Sequence, residues 1–151
     1  MTFVYLALMF VHILSAIVAV GSNVTYGVWS VRAAGDPSNL GFALKGIKFI
    51  DDRIANPSYG VLLVTGLIMM FTGHWGFALW IVIALILFAA VVVLGFAFYS
   101  PLLKRQIQLV ESGQASSPEY TRLAGLSRRF GPGLAIIVVV ILAMMVFKPS
   151  L

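Results

Sequence analysis

The sequence contains no cysteine among its 151 residues. This absence excludes disulfide bonds, thiolate metal sites and cysteine nucleophiles. Charge is also scarce, because only 10% of the residues are Asp, Glu, Lys or Arg, whereas a soluble domain carries about 25%. All five acidic residues lie in two polar segments, so no predicted membrane span offers a carboxylate for a proton or cation relay.

Recognisable catalytic motifs are missing as well. The sequence has no HExxH motif, no phosphate-binding P-loop and no GxSxG nucleophile elbow. The N-terminus has no basic region, and its first apolar run is too long for the core of a signal peptide. We therefore predict that the first apolar run is retained as a membrane span.

Apolar residues dominate what is present. They make up 61% of the chain, which is typical of a lipid-facing bundle and exceeds what a water-soluble core needs. The length allows about four spans of roughly 20 residues. We predict an all-α fold of four antiparallel transmembrane helices in one domain, with spans at about 2–31, 57–73, 77–103 and 131–147.

The segments between the spans carry helix signals of their own. Asp36 before Pro37, and Ser117 before Pro118, are typical of helix N-caps followed by a proline in the first turn. Residues 38–56 have an amphipathic pattern, which predicts a short helix at the membrane surface. Residues 104–117 are predicted as a polar loop, and Gly131-Pro132-Gly133 as an interruption of the last helix.

The basic residues predict the orientation. All of them except Lys148 lie in the two polar segments, and they are Arg32, Lys45, Lys48, Arg53, Lys104, Arg105, Arg122, Arg128 and Arg129. Basic residues favour the cytoplasmic side. We therefore expect both termini outside and amphipathic helix extensions in the cytoplasm.

His12 is the main candidate for chemistry, because an ionisable side chain well inside a membrane span is costly and marks a functional site by default. It shares one helical face with small and polar residues, namely Ser15, Ala16, Ala19, Ser22, Asn23 and Tyr26. The predicted topology also places the methionines of the spans in the same outer half as His12. They are Met9, Met69, Met70, Met144 and Met145.

Imidazole and thioether groups are ligands for haem iron and for copper. The first hypothesis is therefore a haem b-binding protein with a redox or electron-transfer role, in which His12 is an axial ligand and Ser15, Ala16 and Ala19 leave room for the ring. The second axial ligand stays open among Met69, Met70, Met144 and Met145, and His74 is a weaker metal ligand. A metal-bound His12 needs a hydroxyl or a carbonyl for its other ring nitrogen, and Ser15, one turn on, is a candidate.

Two alternatives stay open. Copper is one, bound by His12 and the outer methionines. The other is a cofactor-free structural subunit, in which His12 only hydrogen-bonds a neighbouring helix and the small face of Ser15, Ala16 and Ala19 forms a dimer interface. Asn23, Tyr26, Asn56 and Thr65 are expected to form an inner polar cluster. Partners are thus the lipid bilayer and either a second copy or a redox protein, and nucleic acid is not expected.

Several short features together resemble a family of small predicted integral membrane proteins of unknown function. They are His12 followed by Gly21, Arg32 closing the first helix, Asn56-Pro57 opening the second span with Gly66 inside it, and the closing Val146-Phe147-Lys148-Pro149. That family is distantly similar to the HemJ-type protoporphyrinogen oxidases and to the copper-resistance D membrane domain. The resemblance implies a four-helix protein of the bacterial inner membrane, with haem b on His12. The HemJ-type proteins also use a lysine inside a later span, which this sequence lacks, and this departure counts against protoporphyrinogen oxidation.

Overall fold

The computed structural model describes residues 3–73 and 75–149, and within them it is helical without any strand. Four long helices account for most of the chain: α1 (Phe3–Ala34), α2 (Pro37–Thr72), α3 (Leu79–Glu111) and α4 (Pro118–Phe147). Each is long and apolar enough to cross a membrane. The prediction of an all-α protein with four candidate spans is confirmed.

The helices extend further than the predicted spans. Residues 38–56 do not form a separate surface helix but the first part of α2, and residues 104–111 belong to α3 rather than to a loop. A helix of 30 residues, the length of α4, measures about 45 Å, whereas the apolar layer of a bilayer is about 30 Å thick. Each helix therefore extends beyond the apolar layer.

Two π-helical turns explain why α2 and α3 are continuous. The turn Asp51–Ala55 ends two residues before Pro57, and the turn Gly95–Tyr99 ends two residues before Pro101. A proline has no N–H to donate, and its ring crowds the carbonyl four residues earlier. The wider π turn takes up this crowding, so each helix passes its proline without a break.

Gly131-Pro132-Gly133 does not interrupt α4, contrary to the sequence prediction, because the helix runs through Pro132 to Phe147. An internal proline removes one backbone hydrogen bond. The helical segments on both sides are more than three turns long, and cooperative propagation within them maintains the helix across that one missing bond.

Both predicted N-caps are at helix starts. The Ser117 hydroxyl accepts a hydrogen bond from the Tyr120 backbone N–H at 3.1 Å. Asp36 precedes Pro37 but makes no side-chain bond to the helix backbone. Its carboxylate instead accepts from the Ser38 hydroxyl and the Asn39 amide. These donors stabilise the ionised form and hold the pKa of Asp36 below its ordinary value.

The largest fully buried side chains lie at one end of the molecule, where the turn at residues 35–36 and the turn at 112–117 meet. We call this the polar end. Its apolar cluster consists of Tyr26, Ala33, Leu40, Ala43, Leu44, Ile47, Ala55 and Leu103. Ile47 and Leu103 are 0% and 1% exposed. Salt bridges from Lys45 to Glu111 and from Arg105 to Glu119, both at 2.7 Å, lie around this cluster.

Away from the polar end, the helices pack as two pairs. α1 lies closely along α2, and α3 lies closely along α4. The two pairs make few contacts with one another there, mostly between α1 and α4. Association of apolar helices in lipid has no hydrophobic driving force, so loose packing between the pairs costs little in a bilayer.

The polar-end cluster predicts which truncation destabilises the protein. Ile47→Ala is expected to lower the free energy of unfolding by about 3 kcal/mol, because it leaves a cavity at a fully buried position. Phe49→Ala on the same helix is the control, since Phe49 is 63% exposed. Unfolding in mixed micelles of increasing denaturing-detergent fraction measures both. Equal losses in the two variants would show that the cluster does not stabilise the fold.

Candidate functional site

His12 lies against α2 at two consecutive residues. Its Nδ1 is 3.0 Å from the Thr65 hydroxyl oxygen. A β-carbon on Gly66 would come within 2.9 Å of the imidazole Cε1, which is closer than carbon atoms approach without a clash. Gly66 therefore makes room for the imidazole ring, and the Thr65 hydroxyl forms a hydrogen bond with its Nδ1.

The hydrogen bonds of Thr65 assign the tautomer of His12. The Thr65 hydroxyl oxygen is 2.7 Å from the Val61 carbonyl and 3.2 Å from the Leu62 carbonyl. A hydroxyl has one proton, and a carbonyl can only accept. Since the Thr65 proton is donated to a carbonyl, its oxygen accepts from His12 Nδ1–H. The imidazole Nε2 then carries the lone pair, which is the form in which histidine binds a metal.

Ser15 is therefore not the residue that orients His12, contrary to the sequence prediction. The partner comes from the neighbouring helix, 53 positions away. Ser15 and Ala19 are buried, at 9% and 1% exposure. They lie inside the chain among its own helices, so this face does not offer the dimer interface that the cofactor-free alternative required.

The methionines lie toward the end opposite to the polar end. The Trp75 indole N–H donates to the Tyr5 hydroxyl at 3.2 Å, which marks that end of α1 and α2. Met9 lies one turn from His12 in this direction, and Met69 and Met70 lie one turn from Thr65 and Gly66. Met70 is buried, at 4% exposure.

α4 brings two further methionines toward the same end. The Lys148 ammonium lies 4.6 Å from the centre of the Trp75 ring, and Met144 and Met145 precede this lysine by about one helical turn. Five methionines from three helices thus share the level between His12 and Trp75. The contacts of the imidazole itself are with Thr65, Gly66 and the Leu62 backbone carbonyl.

An apolar cavity of about 40 Å³ lies between the two helix pairs. Ala16 and Ala19 form part of its wall, together with Val20, Tyr59, Leu62, Phe88, Val91, Val138, Ile141 and Leu142. A single water molecule occupies about 30 Å³ in the liquid, so the cavity has the size of one small molecule. A porphyrin beside His12 requires the two pairs to move apart.

Other acidic or imidazole ligands are not gathered around His12. Within residues 3–73 and 75–149, no group of three or more His, Cys, Asp or Glu side chains is placed to hold a metal ion. His74, the weaker ligand predicted from the sequence, lies outside the described residues. A metal on His12 would therefore depend on thioether ligands or on a ligand brought by the cofactor.

The predicted inner polar cluster is replaced by separate pairs. The Asn23 amide donates to the Tyr59 hydroxyl at 2.6 Å, and the Tyr26 hydroxyl lies 3.4 Å from an oxygen of Asp51. Thr65 bonds His12 instead of joining Asn23. Asp51, which the sequence placed in a polar segment, is only 9% exposed inside the helix, because the π turn keeps it within the bundle.

The fold and the site define an all-helical integral membrane protein with one histidine held between two of its helices. The family model described as predicted integral membrane protein (DUF2269) matches residues 6–149, and the chain belongs to this family. No curated protein and no solved structure matches the chain.

Thr65→Val tests the assigned tautomer. In the unmodified protein, ¹⁵N spectra of labelled histidine are expected to show a protonated Nδ1 and an unprotonated Nε2 for His12. The valine removes the hydroxyl that accepts from Nδ1, so the tautomer preference is weakened and the protein is destabilised by about 1 kcal/mol. Thr25→Val is the control, because Thr25 is a threonine on α1 that bonds only the Gly21 carbonyl of its own helix. A protonated Nε2 in the unmodified protein would contradict the assignment.

Proposed function

We propose that this protein binds haem b within the membrane, with Nε2 of His12 as an axial ligand. The observation that supports the proposal is the hydrogen bond from His12 Nδ1 to Thr65. This bond holds the imidazole at Gly66 and leaves the lone pair of Nε2 free to bind iron. An iron-ligating imidazole has the same arrangement. When bound, haem supplies one-electron redox chemistry, with a redox protein as the partner.

The proposed membrane arrangement is four antiparallel spans in a bacterial inner membrane, with both termini outside. Residue pairs along α1 and α2 support opposite directions, since Tyr5 meets Trp75 and Asn23 meets Tyr59. The basic residues at the polar end support a cytoplasmic location for that end. His12 then lies in the outer half of the bilayer.

Room for a haem comes from the seam between the helix pairs. The small side chains of Ala16 and Ala19 line this seam, and the few contacts between the pairs keep the cost of parting them low. Met9 and the four later methionines lie between His12 and Trp75, close to where the haem would bind. Met69, Met70, Met144 and Met145 are the candidates for the second axial position, since iron accepts a thioether opposite imidazole.

The reaction of the HemJ-type proteins is not part of the proposal. Those proteins use a lysine within a later span. The only lysine of α3 is Lys104, and it lies just past the predicted span at 77–103. We propose electron transfer instead, because it requires only an axial ligand and a buried haem.

The visible absorption spectrum of the detergent-purified protein, expressed with haem precursor, tests the proposal. A Soret band is expected, with sharp α and β bands after reduction by dithionite, and His12→Ala is expected to abolish them. His74→Ala is the matched control, because the sequence has only these two histidines, and it should keep the spectrum. A featureless spectrum from folded, haem-supplied protein would refute haem binding.

A second candidate function is Cu(I) binding. The grouping of five methionines between His12 and Trp75 favours it. Thioethers and imidazole are soft enough for Cu(I). A single ion is also far smaller than a porphyrin, so its binding requires less movement of the helices than haem does. In this alternative His12 and the methionines of α1, α2 and α4 hold the metal.

Competition with a chromogenic Cu(I) chelator separates copper from haem. Copper binding predicts one tightly held Cu(I) per chain that weakens at least roughly tenfold in Met69→Leu/Met70→Leu, because leucine keeps the apolar volume and removes both sulfur atoms. His74→Ala should leave the affinity unchanged. If neither haem nor copper binds, a cofactor-free structural role is the remaining reading.

A further inference from the structure

A pocket of about 270 Å³ opens on the surface of α4 near the polar end. Its walls are Thr121, Arg122, Gly125, Leu126 and Arg129, all from this one helix. At Gly125 no atom lies within 4 Å of the position that a β-carbon would take. The glycine therefore leaves the floor of the pocket open between the two arginines.

The two arginines belong to the same face of α4. They are seven residues apart, which is two helical turns and about 10 Å along the axis. Their long side chains can reach a common anion between them. Within the part of the chain that the structure describes, neither is within salt-bridge distance of a carboxylate, although Arg122 lies in the field of Glu119, which Arg105 binds at 2.7 Å.

The opposite face of the same segment holds α4 to α3. The Gln106 amide donates to the Ser127 hydroxyl at 2.6 Å and to the Leu123 carbonyl at 3.2 Å. Phe130 stacks on Phe98 with ring centres 6.4 Å apart. The pocket is therefore on the side of α4 that faces away from the bundle.

The arginine face continues into the apolar half of the helix. From Arg129, steps of four, three and four residues lead to Gly133, Ile136 and Val140, which keeps all of them on one helical stripe. Ile136 and Val140 are 66% and 38% exposed. The stripe from Arg129 to Val140 measures about 16 Å, close to half of the roughly 30 Å apolar layer.

We infer that this stripe of α4 binds one anionic phospholipid, with its phosphate between Arg122 and Arg129 and an acyl chain along Gly133, Ile136 and Val140. A lipid is favoured over a free phosphate ester because the charged pocket and the exposed apolar stripe are continuous and match the length of one leaflet. The inference does not depend on haem or copper.

Native mass spectrometry of the full chain in a non-ionic detergent tests this inference. The protein is titrated with phosphatidylglycerol or with phosphatidylcholine of the same acyl chains. Phosphatidylglycerol should bind more tightly, and Arg122→Gln/Arg129→Gln should weaken it roughly tenfold. Arg32→Gln/Arg53→Gln removes the same charge from two other exposed arginines of the molecule and should leave the affinity within about twofold.

Gly125→Leu tests the pocket without changing charge. The position is open, and leucine is a better helix former than glycine, so the variant is expected to fold and to lose phosphatidylglycerol binding by filling the pocket. Equal binding of the two lipids by the unmodified protein would overturn the inference. So would equal losses in both double-arginine variants, which would indicate general charge attraction. Displacement of the lipid by glycerol phosphate at matched concentration would show that the acyl stripe makes no contribution.

Discussion

The contact of His12 with Thr65 and Gly66 sets how the first two helices meet. A glycine at position 66 gives the ring its space, and the threonine next to it gives Nδ1 an acceptor. A shift of either helix by one residue would move the ring off the glycine and away from the hydroxyl. In lipid a polar group without a partner is costly, so this contact favours one register of the pair, together with the Tyr5–Trp75 and Asn23–Tyr59 hydrogen bonds.

Packing differs between the two ends of the molecule because the solvent differs. At the polar end, apolar side chains such as Ile47 and Leu103 are removed from water, and the hydrophobic effect stabilises their burial. Along the apolar part of the helices, lipid is as good an environment as a neighbouring side chain. The structure accordingly has a tight cluster at the polar end and two loosely joined pairs beyond it, with a small apolar cavity between the pairs.

The proposals use different parts of this arrangement. The proposed haem or copper site is centred on His12 and depends on a lone pair, on nearby sulfur atoms and, for haem, on the seam between the helix pairs. The inferred lipid site lies on the outward face of α4 and depends on unpaired arginines above an apolar stripe. Both fit one orientation, in which the polar end meets the anionic inner surface of the membrane and His12 lies in the outer half.

Much of the fold was readable from the sequence. Long runs without charge determine membrane helices, since only intrahelical bonds satisfy the backbone in lipid, and Ser117 determined where α4 begins. The sequence also marked His12 as the group to explain. The predicted span at 77–103 ran through Pro101, but the sequence did not predict that α2 continues through Pro57 or that α3 runs on to Glu111, because π turns depend on how the helix accommodates each proline.

The tertiary structure alone decided the partners. Thr65 is 53 positions from His12, and periodicity in one helix carries no information about its register against another. For the same reason the sequence named Ser15, the nearest hydroxyl in the chain, and gave Gly66 only a general role in packing. Composition and periodicity thus determined which segments are helices in a membrane. Which atoms meet between those helices was decided by packing, because contacts between helices depend on register and rotation that only the assembled bundle specifies.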